Sequence, residues 1–199
     1  MRGSGGTESG SGKHVWSVGI RLLHWLTVIV LAAQITVAFS LMGGPGMATM
    51  RWLPFHMSLG AGLLGVILIR IVWRAFEAAP TRRLSPRIRQ LGSLVHVSLY
   101  LVIFAVVITG WFAYRPVPLT PPAHLFGRLP APTAPRIEGI SARDFALIHR
   151  SLVYAFLALM GTHIAAALVH AIILRDGILS AMLFGLQEPD ALGTRQDDG

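Results

Sequence analysis

Apolar residues gather into four long runs, Leu22–Met42, Trp52–Ile69, Leu91–Tyr114 and Ser151–Leu174, that contain no Asp, Glu, Lys or Arg. Each is long enough to cross about 30 Å of hydrocarbon as a helix, which takes roughly 20 residues at 1.5 Å each. Backbone groups in lipid must be satisfied within the segment, so such runs predict helices. Membrane β-strands are about 10 residues long and alternate in polarity, which these runs do not. The first run is too long for the apolar part of a signal peptide and three more spans follow it. The expected fold is an all-α membrane protein, a four-transmembrane-helix bundle.

The polar stretches between the runs differ in character. Residues 1–14 are Gly/Ser-rich and read as a disordered tail. Residues 15–186 read as the membrane domain, and 187–199 as a polar tail. A turn-rich Gly43-Gly44-Pro45-Gly46 joins the first two spans. The third loop, about 115–142, carries many prolines and reads either as a lid or docking surface or as a floppy external loop. After Arg175-Asp176-Gly177, an apolar stretch to Leu186 is too short to span and is expected in the interface.

Composition sharpens this picture. Only 13% of the 199 residues are charged and 53% are hydrophobic, against roughly 25% charged in a soluble domain. The net charge is +8, but the hydrophobicity argues against a nucleic-acid-binding chain. Eleven of the 17 basic residues fall on the side shared by the termini and the second loop, and six on the other. The positive-inside rule then puts both termini in the cytoplasm, with the Pro-rich loop outside. The absence of cysteine excludes disulfides, thiolate metal sites and covalently attached c-type haem.

The eight histidines are many for so apolar a chain. A histidine inside a membrane span is costly and normally has a partner, and His24, His56, His96, His149, His163 and His170 all lie in or beside the spans. Imidazole ligates haem iron and zinc; zinc is the weaker choice, since the spans lack the cysteines or carboxylates that complete its shell. His149 and His163 are 14 residues apart, which returns to within about 40° of one helix face and separates them by about 21 Å. One helix thus offers ligands at two depths. By depth, His56 pairs with His149 near the outer surface, and His24 pairs with His163 or His170 near the inner one. That points to two bis-histidine haems b. His96 has no depth-matched partner and reads as a hydrogen-bonding residue; His14 and His124 read as surface residues. Gly60, Gly62, Gly65, Gly110 and Gly161 give room for a macrocycle edge or for close helix packing, and Trp25, Trp52, Trp73 and Trp111 read as interfacial belt residues. Arg74, Arg82, Arg83, Arg87 and Arg89 read mainly as topology signal.

Several local patterns together resemble the bacterial di-haem cytochrome b561 family. They are Leu23-His24-Trp25, Phe55-His56-Met57, the His96–Tyr100 stretch, Ile148-His149, Thr162-His163-Ile164-Ala165-Ala166-Ala167, Leu168-Val169-His170 and Arg175-Asp176, in that order. The resemblance covers about residues 14–185. It implies haem-iron ligation by His24/His163 and His56/His149, settling the choice between His163 and His170. It also implies electron transfer between a periplasmic donor and the quinone pool in the bacterial inner membrane, in one class as a superoxide oxidase that reduces ubiquinone. An arginine-rich outer surface, with Arg115, Arg128, Arg136, Arg143 and Arg150 against Glu138 and Asp144, suits a small anion such as superoxide or an acidic carrier protein. His170 and His96 are the candidate quinone or propionate contacts. The alternatives are a cytochrome b subunit anchoring a periplasmic dehydrogenase or hydrogenase, and a non-redox transporter or scaffold.

Overall fold

The computed structural model describes residues 16–43, 46–77, 85–116 and 123–183. The two tails, His14, Arg82 and Arg83 lie outside these described residues. Four helices are long and apolar enough to cross a membrane. They are α1 (Val18–Thr36, continued by a π-helical turn Val37–Leu41), α2 (Gly46–Phe76), α3 (Pro86–Ala113) and α4 (Ala142–Val169, continued by a π-helical turn His170–Leu174). A short α5 (Ile178–Leu183) follows, within the stretch expected to be too short to span.

The helices overrun the uncharged runs. α2 continues through Arg70 and Arg74, and α4 begins with Arg143 and Asp144 in its first turn. Charge marks where lipid ends, whereas a helix ends where its free N–H and C=O groups find other partners. Ser17 and Ser85 accept from the N–H groups of Ile20 and Ile88. Ser141 and Asp144 form a reciprocal capping box, with Ser141 Oγ accepting from Asp144 N–H at 3.2 Å and Asp144 Oδ2 accepting from Ser141 N–H at 2.8 Å.

Successive helices run antiparallel. Ser17 donates from its N–H and hydroxyl to the two carboxylate oxygens of Glu77, at 2.8 and 2.6 Å, tying the start of α1 to the end of α2. Gly19 lies under the Trp73 ring, where a Cβ would stand 2.6 Å from Cζ2. Arg70 of α2 lies over the Tyr100 ring of α3, and Phe112 stacks on Phe145 at 4.9 Å where α3 turns back into α4. Trp25 Nε1 donates to the Met182 carbonyl, bringing α5 to the start of α1. Leu63, Ile67, Ile103 and Phe156 form the buried core, with Leu31, Leu99 and Met160 packed around it. The outward faces carry exposed apolar side chains such as Leu22, Ile29, Leu101 and Ile173, as a lipid-facing surface requires.

The described part of the Pro-rich loop is ordered against the bundle. β1 (His124–Leu125) and β2 (Leu129–Pro130) form a small antiparallel hairpin. Its turn carries Phe126 at φ 52° and Gly127 at φ 70°. A left-handed φ costs an ordinary residue about 1–2 kcal/mol, and here the Phe126 N–H is held at 2.8 Å by the buried Ser58 hydroxyl of α2. Ala123 N–H donates to the Tyr114 hydroxyl and Trp111 Nε1 to the Pro132 carbonyl.

Candidate functional site: two histidine centres

Seven residues of α-helix rise about 10.5 Å and return to within about 20° of the same face. Three helices use this interval twice. α2 presents His56, Leu63 and Arg70 along one face; α3 presents Gly110, Ile103 and His96; α4 presents His149, Phe156 and His163. The middle members are the buried core residues themselves, and Leu31, seven residues from His24 on α1, packs on them. The polar members therefore fall into two centres at opposite ends of an apolar layer.

The first centre lies at the end that carries the Pro-rich loop. The His56 and His149 ring centroids are 6.3 Å apart and the rings nearly perpendicular at 83°. A histidine nitrogen binds a transition metal at about 2.0 Å, and with about 1.2 Å from nitrogen to ring centre on each side, two trans imidazoles stand about 6.4 Å apart. His149 Nδ1–H donates to the Val106 carbonyl at 2.8 Å, which leaves Nε2 with its lone pair. That is the usual way a metal-bound imidazole is oriented. Gly110, one turn on, lets α3 approach: a Cβ there would be 3.0 Å from His149 Cε1 and Nδ1. His56 Nδ1 is buried and has no hydrogen-bond partner among the described residues, while its Nε2 lies 3.2 Å from the Gln34 amide nitrogen.

The second centre holds His24, His96, His163 and Arg70. His24 Nδ1 is buried without a hydrogen-bond partner among the described residues, and His24 lies within electrostatic reach of His163, His96 and Arg70. The His96 and His163 rings meet edge to face at 5.1 Å, closer than a metal between them allows, and His96 Nδ1–H donates to the Gly92 carbonyl at 2.6 Å. His96 comes level with His163 because α3 begins at Pro86, five residues before the uncharged run. Buried ring nitrogens lacking partners are what a metal-ligating donor set presents, and at the first centre the 6.3 Å His56–His149 separation also fits an iron held between imidazoles.

The remaining sequence candidates are spread out. His170 begins the π-helical turn and its Nδ1 is 2.5 Å from Asp176 Oδ2; Asp176 in turn accepts from the Ile178 N–H. His124 is exposed on the hairpin. A Cβ on Gly62, Gly65 or Gly161 would meet nothing within 4 Å, whereas one on Gly60 would be 3.5 Å from the Gln34 amide. Three contributors escape a reading based on histidines alone: Gln34, the Val106 carbonyl and Arg70. Gln34 carried a signal, a lone amide in an apolar run. Arg70 carried one too, the same 14-residue interval from His56 that separates His149 from His163.

The model of prokaryotic cytochrome b561 matches residues 15–185. Cytochrome b561 homolog 2 of Escherichia coli (strain K12) is 26% identical over 170 residues, covering 80% of this chain and 86% of that protein. A redox role displaces the transporter or scaffold alternative. With its four membrane-spanning helices, the chain belongs to the prokaryotic cytochrome b561 family, multi-pass membrane cytochromes that bind haem b and transfer electrons.

Proposed function

We propose that this chain is a di-haem b cytochrome of the bacterial inner membrane, with His56/His149 and His24/His163 as the two axial pairs. It carries electrons between a periplasmic donor and the quinone pool. The observation that carries this reading is the pair of histidine centres on common faces of α2 and α4, parted by the Leu63–Ile103–Phe156 layer. Each haem, when bound, supplies one-electron redox chemistry; the protein sets its position, potential and access. Val106 fixes the His149 ring, and Gly110 admits it. Arg70, half-buried beside the second centre with no carboxylate partner among the described residues, matches a haem propionate. His170, oriented by Asp176, is positioned to hydrogen-bond a quinone carbonyl near the same end.

Both termini lie in the cytoplasm on this reading, as the distribution of basic residues favours. The loop end then faces the periplasm, where Arg115, Arg128, Arg136, Arg143 and Arg150 outnumber Glu138 and Asp144 and steer a small anion such as superoxide toward the His56/His149 centre. The ordered hairpin on α2 gives the runner-up its support. In that reading the same centres serve a periplasmic dehydrogenase or hydrogenase that docks on the loop. The test is haem stoichiometry with rapid kinetics. His24→Ala and His56→Ala each lose one haem, and different ones; two haems kept in either variant refutes the ligand assignment. Superoxide mixed with the purified protein reduces haem, and added ubiquinone reoxidises it. Absence of reduction by superoxide transfers the donor role to a partner protein.

A further inference from the structure

Gln34 stands out among the groups that the ligand scheme leaves unused. It is the one side-chain amide within α1, eight residues before the Met42 end of the run. Its amide nitrogen is 3.2 Å from His56 Nε2. Its carbonyl oxygen Oε1 is buried without a hydrogen-bond partner, as is the other ring nitrogen of His56, Nδ1. Gly60 of α2 lies across from the amide, where a Cβ would make ordinary van der Waals contact with Nε2 at 3.5 Å. A buried amide inside a membrane span is costly unless both its ends are used, and here one end faces an imidazole and the other has no partner among the described residues.

We infer that Gln34 is a positioning residue for the haem of the first centre: its amide hydrogen-bonds the imidazole nitrogen of His56 that iron does not take. The inference rests on the assignment of His56 as an axial ligand. A neutral imidazole bound to iron through one nitrogen carries its proton on the other, so the partner must be an acceptor. The two ends of a side-chain amide exchange by a half-turn about Cγ–Cδ, and this brings Oε1 to the position that Nε2 occupies at 3.2 Å from the ring. On this assignment His56 keeps its buried Nδ1 for iron, whereas His149, whose Nδ1–H is held by the Val106 carbonyl, keeps Nε2, so the two ligands of one iron are oriented through different ring nitrogens, one by α1 and one by α3. An acceptor on the outer ring nitrogen makes the ligand a stronger donor to iron, which stabilises the ferric state and lowers the midpoint potential.

The test is a spectroelectrochemical titration that resolves both haems in wild type, Gln34→Leu and Gln34→Glu, with low-spin ferric EPR on the same samples. In Q34L the potential of the His56/His149 haem rises and its EPR signature shifts, while the His24/His163 haem is unchanged. Q34E keeps an oxygen acceptor in either protonation state and holds that potential at or below the wild-type value. Loss of this haem alone in Q34L, with retention in Q34E, supports the same role. Two haems with unchanged potentials in Q34L, an equal shift of both, or a rise in Q34E matching that in Q34L overturns the inference while leaving the ligand assignment standing. A His56→Ala variant that keeps two haems overturns both.

Discussion

Gly110→Ala separates the needs of the haem from those of the fold, because the two respond with opposite sign. The added methyl would stand 3.0 Å from His149 Cε1 and Nδ1, whereas relaxed carbon contacts lie at about 3.5–4.0 Å. The ring must therefore retreat from α3 by roughly 0.5–1 Å. It is held to the same helix, one turn earlier, by the 2.8 Å bond from Nδ1–H to the Val106 carbonyl, and that retreat stretches the bond past the ~3.2 Å limit of a good N–H···O contact. Losing the orienting bond of a metal-bound histidine costs about 10–100-fold in affinity, or about 1.4–2.8 kcal/mol. The helix itself gains, since alanine in place of an interior glycine is worth about 0.5–1 kcal/mol. The expected outcome is a chain that is folded in detergent and thermally no weaker than wild type before haem is added. It binds one haem normally and the other about 10–100-fold more weakly, as read by haem titration and the reduced-minus-oxidised α-band per chain. Two haems bound with wild-type affinity would refute the reasoning about both Gly110 and the His149 clamp.

Two further substitutions address other parts of the scheme. Arg70→Leu removes a cation from beside His24 and His163, so the midpoint potential of the haem at the second centre should fall by roughly 60 mV, a tenfold change for one electron, with the other haem as internal reference; equal potentials before and after mean that Arg70 serves topology only. Ser58→Ala deletes the hydroxyl that donates to the Pro54 carbonyl and accepts from the Phe126 N–H, so the hairpin should loosen by about 1–2 kcal/mol and become more open to limited proteolysis around 124–130 while both haems stay bound; an unchanged cleavage rate shows that the loop is held by other contacts.

The spans were legible because a run of 18 or more apolar residues has few other physical solutions, and their ends were not, because helices close on Ser17, Ser85 and Ser141 rather than at the first charge. The depth arithmetic on α4 was legible too, since His149 and His163 are rare polar groups on an apolar helix. The same arithmetic applied to α2 leads from His56 to Arg70, yet an arginine near a span end already has an explanation in topology, and the stronger signal hid the weaker. The contribution of α3 to the first centre had a weaker signal. It supplies a backbone carbonyl at Val106, which no side-chain pattern marks, and missing side-chain atoms at Gly110, which the sequence flagged only as room for a macrocycle edge or for close helix packing. His96 was displaced in the depth reckoning by the five residues of helix that precede Leu91.

The three-layer arrangement also says why the polar groups are grouped as they are. Buried polar atoms without partners cost about 1–3 kcal/mol each, and at membrane depth there is no bulk water to offset that. Among the described residues, His24 Nδ1, His56 Nδ1 and Gln34 Oε1 are such atoms, with Arg21 Nε one turn before His24 a fourth, and the two histidines and Gln34 lie at the two centres rather than in the layer between them. The apolar layer of Leu63, Ile103 and Phe156 between them is tightly closed, with Leu63 only 2% exposed. A fold stabilised by its own packing alone would gain from replacing the histidines with the same apolar side chains that fill the middle layer. Their concentration above and below that layer, each set facing inward from several helices, is explained if binding energy from an iron-centred ligand offsets the cost at each end. The layer then has a second consequence: it keeps the two centres about two helical turns from the core on either side, fixed in separation by the rise of α2 and α4 rather than by any loop.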